Sequence, residues 1–145
     1  MSAPVSIIGA GQCGTLLAIM LARLGFSPSV YERHPDPRLF DAEAGRSINL
    51  ALAARGINAL RQAGIFAQVE PLLMPMRGRM VHHQGGAPEF LRYGSGADEE
   101  IYSVTRVGLN QLLLDVAENT ANVALRFGQR AIGYDALDRS VHMRD

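Results

Sequence analysis

The chain opens with Val5-Ser6-Ile7-Ile8, a short β-branched run of the kind that fills a buried strand of a parallel sheet. A glycine turn follows at once. Residues 15–24 are then apolar on nearly every face, which predicts a helix packed between a sheet and other layers. Gly25 supplies a C-terminal stop, and Ser29-Val30-Tyr31-Glu32 predicts a second strand. Strand, glycine turn, helix and strand within about thirty residues make a βαβ unit. Residues 33–45 carry Pro35, Pro37 and several charges and predict a loop. A helix is expected over 51–63, closed by Gly64, with a short second helix over 65–70 before Pro71. Residues 76–83 and 90–93 predict two strands joined by a turn at Gly85-Gly86-Ala87-Pro88. A polar loop over 94–100 precedes a strand over 101–105. Leu109, Leu112, Leu113, Val116 and Ala117 have the spacing of an amphipathic helix over 107–118. Val123, Leu125 and Phe127 alternate as in a strand, and strands near 131–134 and 141–144 are expected to finish a meander. The sequence carries no internal repeat, low-complexity tract or interdomain linker.

With 145 residues, 48% of them hydrophobic, one domain can bury a sizeable core, and two full domains are not expected. A mean hydropathy of +0.04 with 19% charged residues excludes a mainly disordered chain. Lys+Arg and Asp+Glu are 14 each, so the basic excess of a nucleic-acid binder is missing. With no Trp and 6% aromatics, a base-stacking platform is unsupported. A single cysteine forms no intrachain disulfide and points to a reducing compartment. No run approaches the roughly 18 apolar residues of a membrane span, and residues 1–8 lack a basic leader region. A soluble, cytoplasmic protein without a membrane segment or nucleic-acid partner is the expectation.

The chemistry lies in the glycine turn. Gly9, Gly11 and Gly14 form G-x-G-x-x-G, weak as a string but set here between a strand and a helix, with Glu32 following 18 residues after Gly14. That is the context of a dinucleotide fingerprint. Gly9 permits the tight turn, Gly11 lets a pyrophosphate approach the backbone, and Gly14 lets helix pack against strand. The helix N-terminus offers N–H groups and partial positive charge to the phosphates. Glu32, ending the second strand, is placed to accept hydrogen bonds from a ribose diol. Its charge disfavours a 2′-phosphate in that position, which leaves NAD and FAD as the ligands of the turn.

Further strings narrow the choice. Gly45-Arg46-Ser47-Ile48-Asn49-Leu50-Ala51-Leu52 follows the second strand. Pro75-Met76-Arg77-Gly78-Arg79-Met80-Val81-His82 comes next, then Tyr93-Gly94. Ser103-Val104-Thr105-Arg106 leads through Leu109-Asn110 into the amphipathic helix. Together they resemble the FAD-dependent aromatic-ring hydroxylases of the p-hydroxybenzoate hydroxylase type, and within that group the kynurenine 3-monooxygenase family. The resemblance runs from Val5 to about residue 130. It implies an α/β, Rossmann-like FAD-binding fold, with residues 1–145 as the N-terminal part of the FAD-binding domain. Residues of about 76–105 would be the first strands of the substrate-binding region. The family's second FAD motif and further substrate contacts lie in sequence that this chain lacks. The chain alone is therefore expected to be inactive and to hold FAD weakly.

Carried over by position, the resemblance implies FAD contacts at Cys13, at Tyr31, Glu32, Arg33 and His34, and at Ala51, Arg106 and Ala131, beside Gly9, Gly11 and Gly14. Arg46 is a candidate for the flavin border. Arg106 stands where a guanidinium reaches a pyrophosphate or ribityl oxygen. Arg79 and Tyr93 match the residues that bind the carboxylate of L-kynurenine; Arg77 shares strand parity with Arg79 and is not separated from it by pattern alone. The implied reaction hydroxylates the kynurenine ring with NADPH and O₂ through a flavin C4a-hydroperoxide. No side chain is expected to act as nucleophile or metal ligand. His82 and His83 are adjacent and would face opposite sides of a strand. Cys13 reads as a small filler. The rival readings are an NAD-dependent dehydrogenase and a non-catalytic nucleotide-binding module.

Overall fold

The computed structural model describes residues 3–40, 48–94 and 101–144. Arg46, the loop expected over 94–100 beyond Gly94, and the later part of the 33–45 loop lie outside the described residues. The chain divides into two compact units, Met1–Arg46 with Leu109–Asp145, and Ser47–Gly108.

The first unit is built on the βαβ element. Strand β1 (Pro4–Ile8) leads through Gly9-Ala10-Gly11 into helix α1 (Gln12–Arg23) and back to β2 (Ser27–Glu32), which lies parallel to β1. Helix α1 ends as expected at Gly25. Its N–H donates to the Ala22 carbonyl, that of Phe26 reaches Leu21, and φ of +88° at Gly25 is one that a side chain resists. Strand β2 pairs on its far side with β8 (Ala124–Phe127), also parallel, giving the order β1-β2-β8. Ile7, Ala10, Ala18 and Val30 form the core with Leu114 of helix α4 (Arg106–Glu118), flanked by Val5, Leu21, Val123, Leu125 and Phe127. The closing strands differ from a simple meander. The backbone of β8 is taken up by β2, so β9 (Arg130–Asp135) and β10 (Ser140–Arg144) form an antiparallel hairpin of their own.

In the second unit, β3 (Asn49–Leu52) and β4 (Met74–Met76) flank β7 (Ile101–Thr105), both antiparallel to it. Helix α2 (Ala54–Gln62) closes at Gly64 by the same pair of bonds as α1, Gly64 to Arg61 and Ile65 to Leu60. Helix α3 (Phe66–Val69) passes into a single 3₁₀ turn over Glu70–Leu72. Two expectations are corrected here. The helix does not begin at Ala51, because Leu50 and Ala51 pair with Val104 and Ser103; partners across a sheet override the helical preference of Leu and Ala. The strand expected over 76–83 is broken at Arg77. Its first part joins β7, while β5 (Gly78–Val81) pairs with β6 (Glu89–Arg92).

Candidate functional site

The three glycines of the turn are not equivalent. Gly9 has φ of +102°, and its N–H donates to the Tyr31 carbonyl at 2.7 Å, which binds the turn to β2. A Cβ on Gly14 would lie 2.0 Å from the Gly9 carbonyl oxygen and 3.3 Å from a methyl of Ile7, so only glycine allows α1 to pack this close to β1. A Cβ on Gly11 would meet nothing within 4 Å among the described residues. Gly11 has ordinary extended backbone angles and no side-chain cap on the helix it opens, and the first turn of α1 holds no acidic residue. The fold around it therefore places no demand for glycine at position 11. An open approach to an uncapped helix N-terminus suits an anion.

Glu32 ends β2 and is half-buried. One carboxylate oxygen accepts the Ala10 N–H at 3.0 Å, and the other accepts the His34 N–H at 3.0 Å. The carboxylate thus fastens the glycine turn to the chain leaving β2. Each oxygen has a second lone pair, so a ribose diol can still be held without displacing either bond. The dinucleotide part of FAD fits these residues: a bare backbone for the pyrophosphate and a fixed carboxylate for the ribose.

The neighbouring side chains complete one end of the parallel sheet. Cys13 is exposed in the first turn of α1. Arg33 donates through Nε to Nε2 of His34 at 3.0 Å, both exposed. The Gly128 N–H reaches the His34 carbonyl and that of Gln129 reaches Glu32, so the ends of β2 and β8 are joined. Tyr31 lines an open depression of about 410 Å³ with Leu125, Arg126, Phe127 and Gln129. The sequence pattern puts Leu125 and Phe127 on a strand but sets none of the four beside Tyr31, because only the parallel pairing of β2 with β8 brings them there. Ala131, half-buried on β9, pairs with Met143.

The segment after β2 is held by charge. Arg38, in a 3₁₀ turn over Pro37–Leu39, makes a two-pronged contact with Asp36 and reaches Asp115 at 2.9 Å and Glu118 at 2.7 Å on α4. The Gln111 side-chain amide adds a bond to the Pro37 carbonyl at 3.2 Å. The Arg38 side chain is only 16% exposed. Its hydrogen bonds, first to Asp36, hold the guanidinium pKa above its ordinary value despite the cost of burial. The Arg38 side chain in turn holds the Asp36 carboxyl below the usual range.

The second unit carries Ala51, Arg79, Tyr93 and Arg106. In the β5–β6 ladder Arg79 stands opposite Leu91. The Tyr93 N–H donates to the Arg77 carbonyl at 3.0 Å and extends the same register by one pair. Opposite residues share a face, so Arg77, Arg79, Leu91 and Tyr93 lie on one side of the hairpin. Tyr93 is directly across from Arg77 and diagonal to Arg79. Gly78 belongs to the other face, where a Cβ would strike the Phe90 ring at 2.5 Å. Arg77 and Arg79 are exposed and Tyr93 is half-buried. Ala51 is exposed on β3, and Arg106 is the first residue of α4, its N–H bonded to the Ile48 carbonyl. Thr105 supports that junction by accepting the Gly108 N–H on its hydroxyl, as an N-cap does. His82 and His83 lie beyond β5, and His83 is 3.4 Å from the Glu89 carboxylate. Among the described residues no three His, Cys, Asp or Glu gather as a metal set, and no helix is long and apolar enough to cross a membrane.

Comparison with known proteins bears on the family and the fold. A family model described as "FAD binding domain" matches residues 2–144. A kynurenine 3-monooxygenase of Stenotrophomonas maltophilia (strain K279a) is 50% identical over 137 residues, which are 93% of this chain and 30% of the relative. One from Xanthomonas euvesicatoria pv. vesicatoria (strain 85-10) is 50% identical over 134 residues, 91% of this chain and 29% of the relative. The chain thus spans less than a third of these relatives' length. Among solved structures, a mutant (Y270A) of 2-methyl-3-hydroxypyridine-5-carboxylic acid oxygenase superposes with a TM-score of 0.78 at 16% identity, covering 98% of this chain and 37% of that one. PqsL of Pseudomonas aeruginosa, titled a probable FAD-dependent monooxygenase, gives 0.70 at 23% identity, covering 97% and 37%. These two likenesses concern the fold.

Proposed function

The chain belongs to the FAD binding domain family, and from that premise we propose that it forms the N-terminal part of an FAD-dependent kynurenine 3-monooxygenase. The intact protein would hydroxylate L-kynurenine on its ring with NADPH and O₂. The observation that carries this reading is the half-identity, over almost the whole chain, to two relatives of that name. The FAD family replaces the NAD-dependent dehydrogenase as the reading of the glycine turn.

FAD, when bound, supplies the redox chemistry and the activation of oxygen. The residues of this chain bind and orient. The N-terminus of α1 and the bare Gly11 backbone receive the pyrophosphate, and Glu32 takes the ribose. Arg33 and His34 border the same end of the sheet, and Arg106, Ala51 and Ala131 are assigned to FAD by the family resemblance of their sequence positions. Arg79 holds the substrate carboxylate by two parallel hydrogen bonds, and Tyr93, on the same face, adds a hydroxyl. That clamp fixes which ring carbon faces the flavin.

The test is steady-state kynurenine kinetics, read as substrate-dependent NADPH oxidation by flavin-replete intact protein. Arg79→Ala is expected to raise KM at least tenfold, since a charge-assisted contact is worth about 1.5–3 kcal/mol. Arg79→Lys recovers part of the loss, because an ammonium lacks the planar fork. Arg77→Ala has the smaller effect although it faces Tyr93 directly. A larger effect of Arg77→Ala would move the carboxylate clamp to that residue. No effect of either, or no kynurenine-dependent turnover in the parent, would remove the kynurenine reading.

A further inference from the structure

The chain leaving β2 has few backbone bonds of its own. Pro35 and Pro37 lack N–H groups, so this stretch cannot continue β2 along the ladder. At its start it is held by the His34 N–H on Glu32 and by the Gly128 N–H on the His34 carbonyl. At its far end the fastening comes from side chains. Arg38 grips Asp36, which also caps the Pro37–Leu39 turn by accepting the Arg38 N–H, and extends the same guanidinium to Asp115 and Glu118. Gln111 holds the Pro37 carbonyl between them. Three carboxylates on one guanidinium exceed what a turn of three residues requires. Two of them stand on a helix 77 and 80 residues away in sequence.

We propose that Arg38 is a positioning residue of the dinucleotide site, tying the Pro35–Pro37 segment to α4 so that Arg33 and His34 stay beside Glu32. It acts through the segment and not on a ligand atom. Without the ion pairs of Arg38, the segment is held only by the two bonds at His34 and by Gln111 on the Pro37 carbonyl, and the ribose end of FAD must order it on binding. Ordering a loop at the moment of binding lowers affinity. The inference rests on the FAD reading of the glycine turn.

The test separates affinity from stability. Asp115 and Glu118 are 62% and 61% exposed, and exposed ion pairs add little to stability. The double variant D115A/E118A therefore keeps the Asp36–Arg38 turn and removes the charged part of its tie to α4, leaving the Gln111 amide on the Pro37 carbonyl. In the intact protein, its FAD Kd, from flavin-fluorescence titration of the apoprotein, is expected to rise three- to tenfold, with the apoprotein melting temperature within a degree or two. Arg38→Met is expected to raise Kd about tenfold or more, and Arg38→Lys to recover part. Hydrogen exchange of the His34, Arg38 and Leu39 amides is expected to quicken in both variants, with protection in α1 unchanged. Kd within twofold of the parent in D115A/E118A overturns the proposal, including where Arg38→Met fails to fold. If the parent itself takes up no FAD, the cofactor reading fails instead. Exchange over these amides then decides the clamp, and an unchanged rate overturns it.

Discussion

Gly11 and Gly14 lie three residues apart in one motif, and the structure assigns them different work. Alanine at Gly14 places a methyl 2.0 Å from a backbone oxygen, an obstacle that no rotamer relieves. Overpacking of this kind costs about 1–3 kcal/mol and more where backbone must move. At roughly 3 °C per kcal/mol for a domain of this size, the apoprotein melting temperature should fall by about 3–9 °C. Alanine at Gly11 meets no described atom within 4 Å and inherits φ of −77° and ψ of 179°, which alanine accepts. Two small effects oppose each other there. Alanine caps a helix less well than glycine, by about 0.5–1 kcal/mol, while the loss of glycine freedom in the unfolded chain returns about 0.4–1. The melting temperature should stay within about 3 °C. On the proposed placement of the pyrophosphate over Gly11, FAD binding should nevertheless weaken at least tenfold, because the methyl would stand between the phosphates and the backbone. The assay is a thermal melt of each apoprotein beside a flavin-fluorescence titration of the intact protein. Gly11→Ala with unchanged FAD affinity would refute the placement of the pyrophosphate over this residue. Gly14→Ala with the parent's melting temperature would refute the packing argument.

Glu32→Gln should act on both stability and ligand, since an amide has one acceptor oxygen for two backbone N–H groups and turns an NH₂ toward the other. A loss of about 1–3 kcal/mol in apoprotein stability should accompany a ten- to hundredfold rise in FAD Kd; a fall in stability with no change in Kd would confine Glu32 to fastening the turn. Asp36 should make the fold acid-sensitive. Its folded pKa is depressed, so its contribution is complete above the unfolded value near 4 and is lost as pH falls through the folded value. Melting temperature measured from pH 5 down to 2.5 should fall less steeply in Asp36→Asn, and parallel slopes would show that this carboxylate is not the source.

Local chemistry already determined the nucleotide end of this protein. The β-branched run of β1, the apolar helix α1, the glycine that stops it and the carboxylate 18 residues past Gly14 are neighbours in sequence. Their interactions close within one βαβ unit, so no distant partner had to be known. The same holds for Gly64 at the end of α2 and for Thr105 at the start of α4. What stayed hidden depends on pairing across the chain. Ala51 and Leu52 read as the start of a helix and become strand because β7 offers them hydrogen bonds. The alternation of Val123, Leu125 and Phe127 announces a strand without saying that β2 will take it in parallel, which is what puts Arg126 and Gln129 beside Tyr31. Asp36 and Arg38 look like loop charges until α4 brings Asp115 and Glu118 to them. Strand alternation and helix caps are set by near neighbours, whereas sheet partners and ion pairs are chosen by whichever distant groups folding brings into reach.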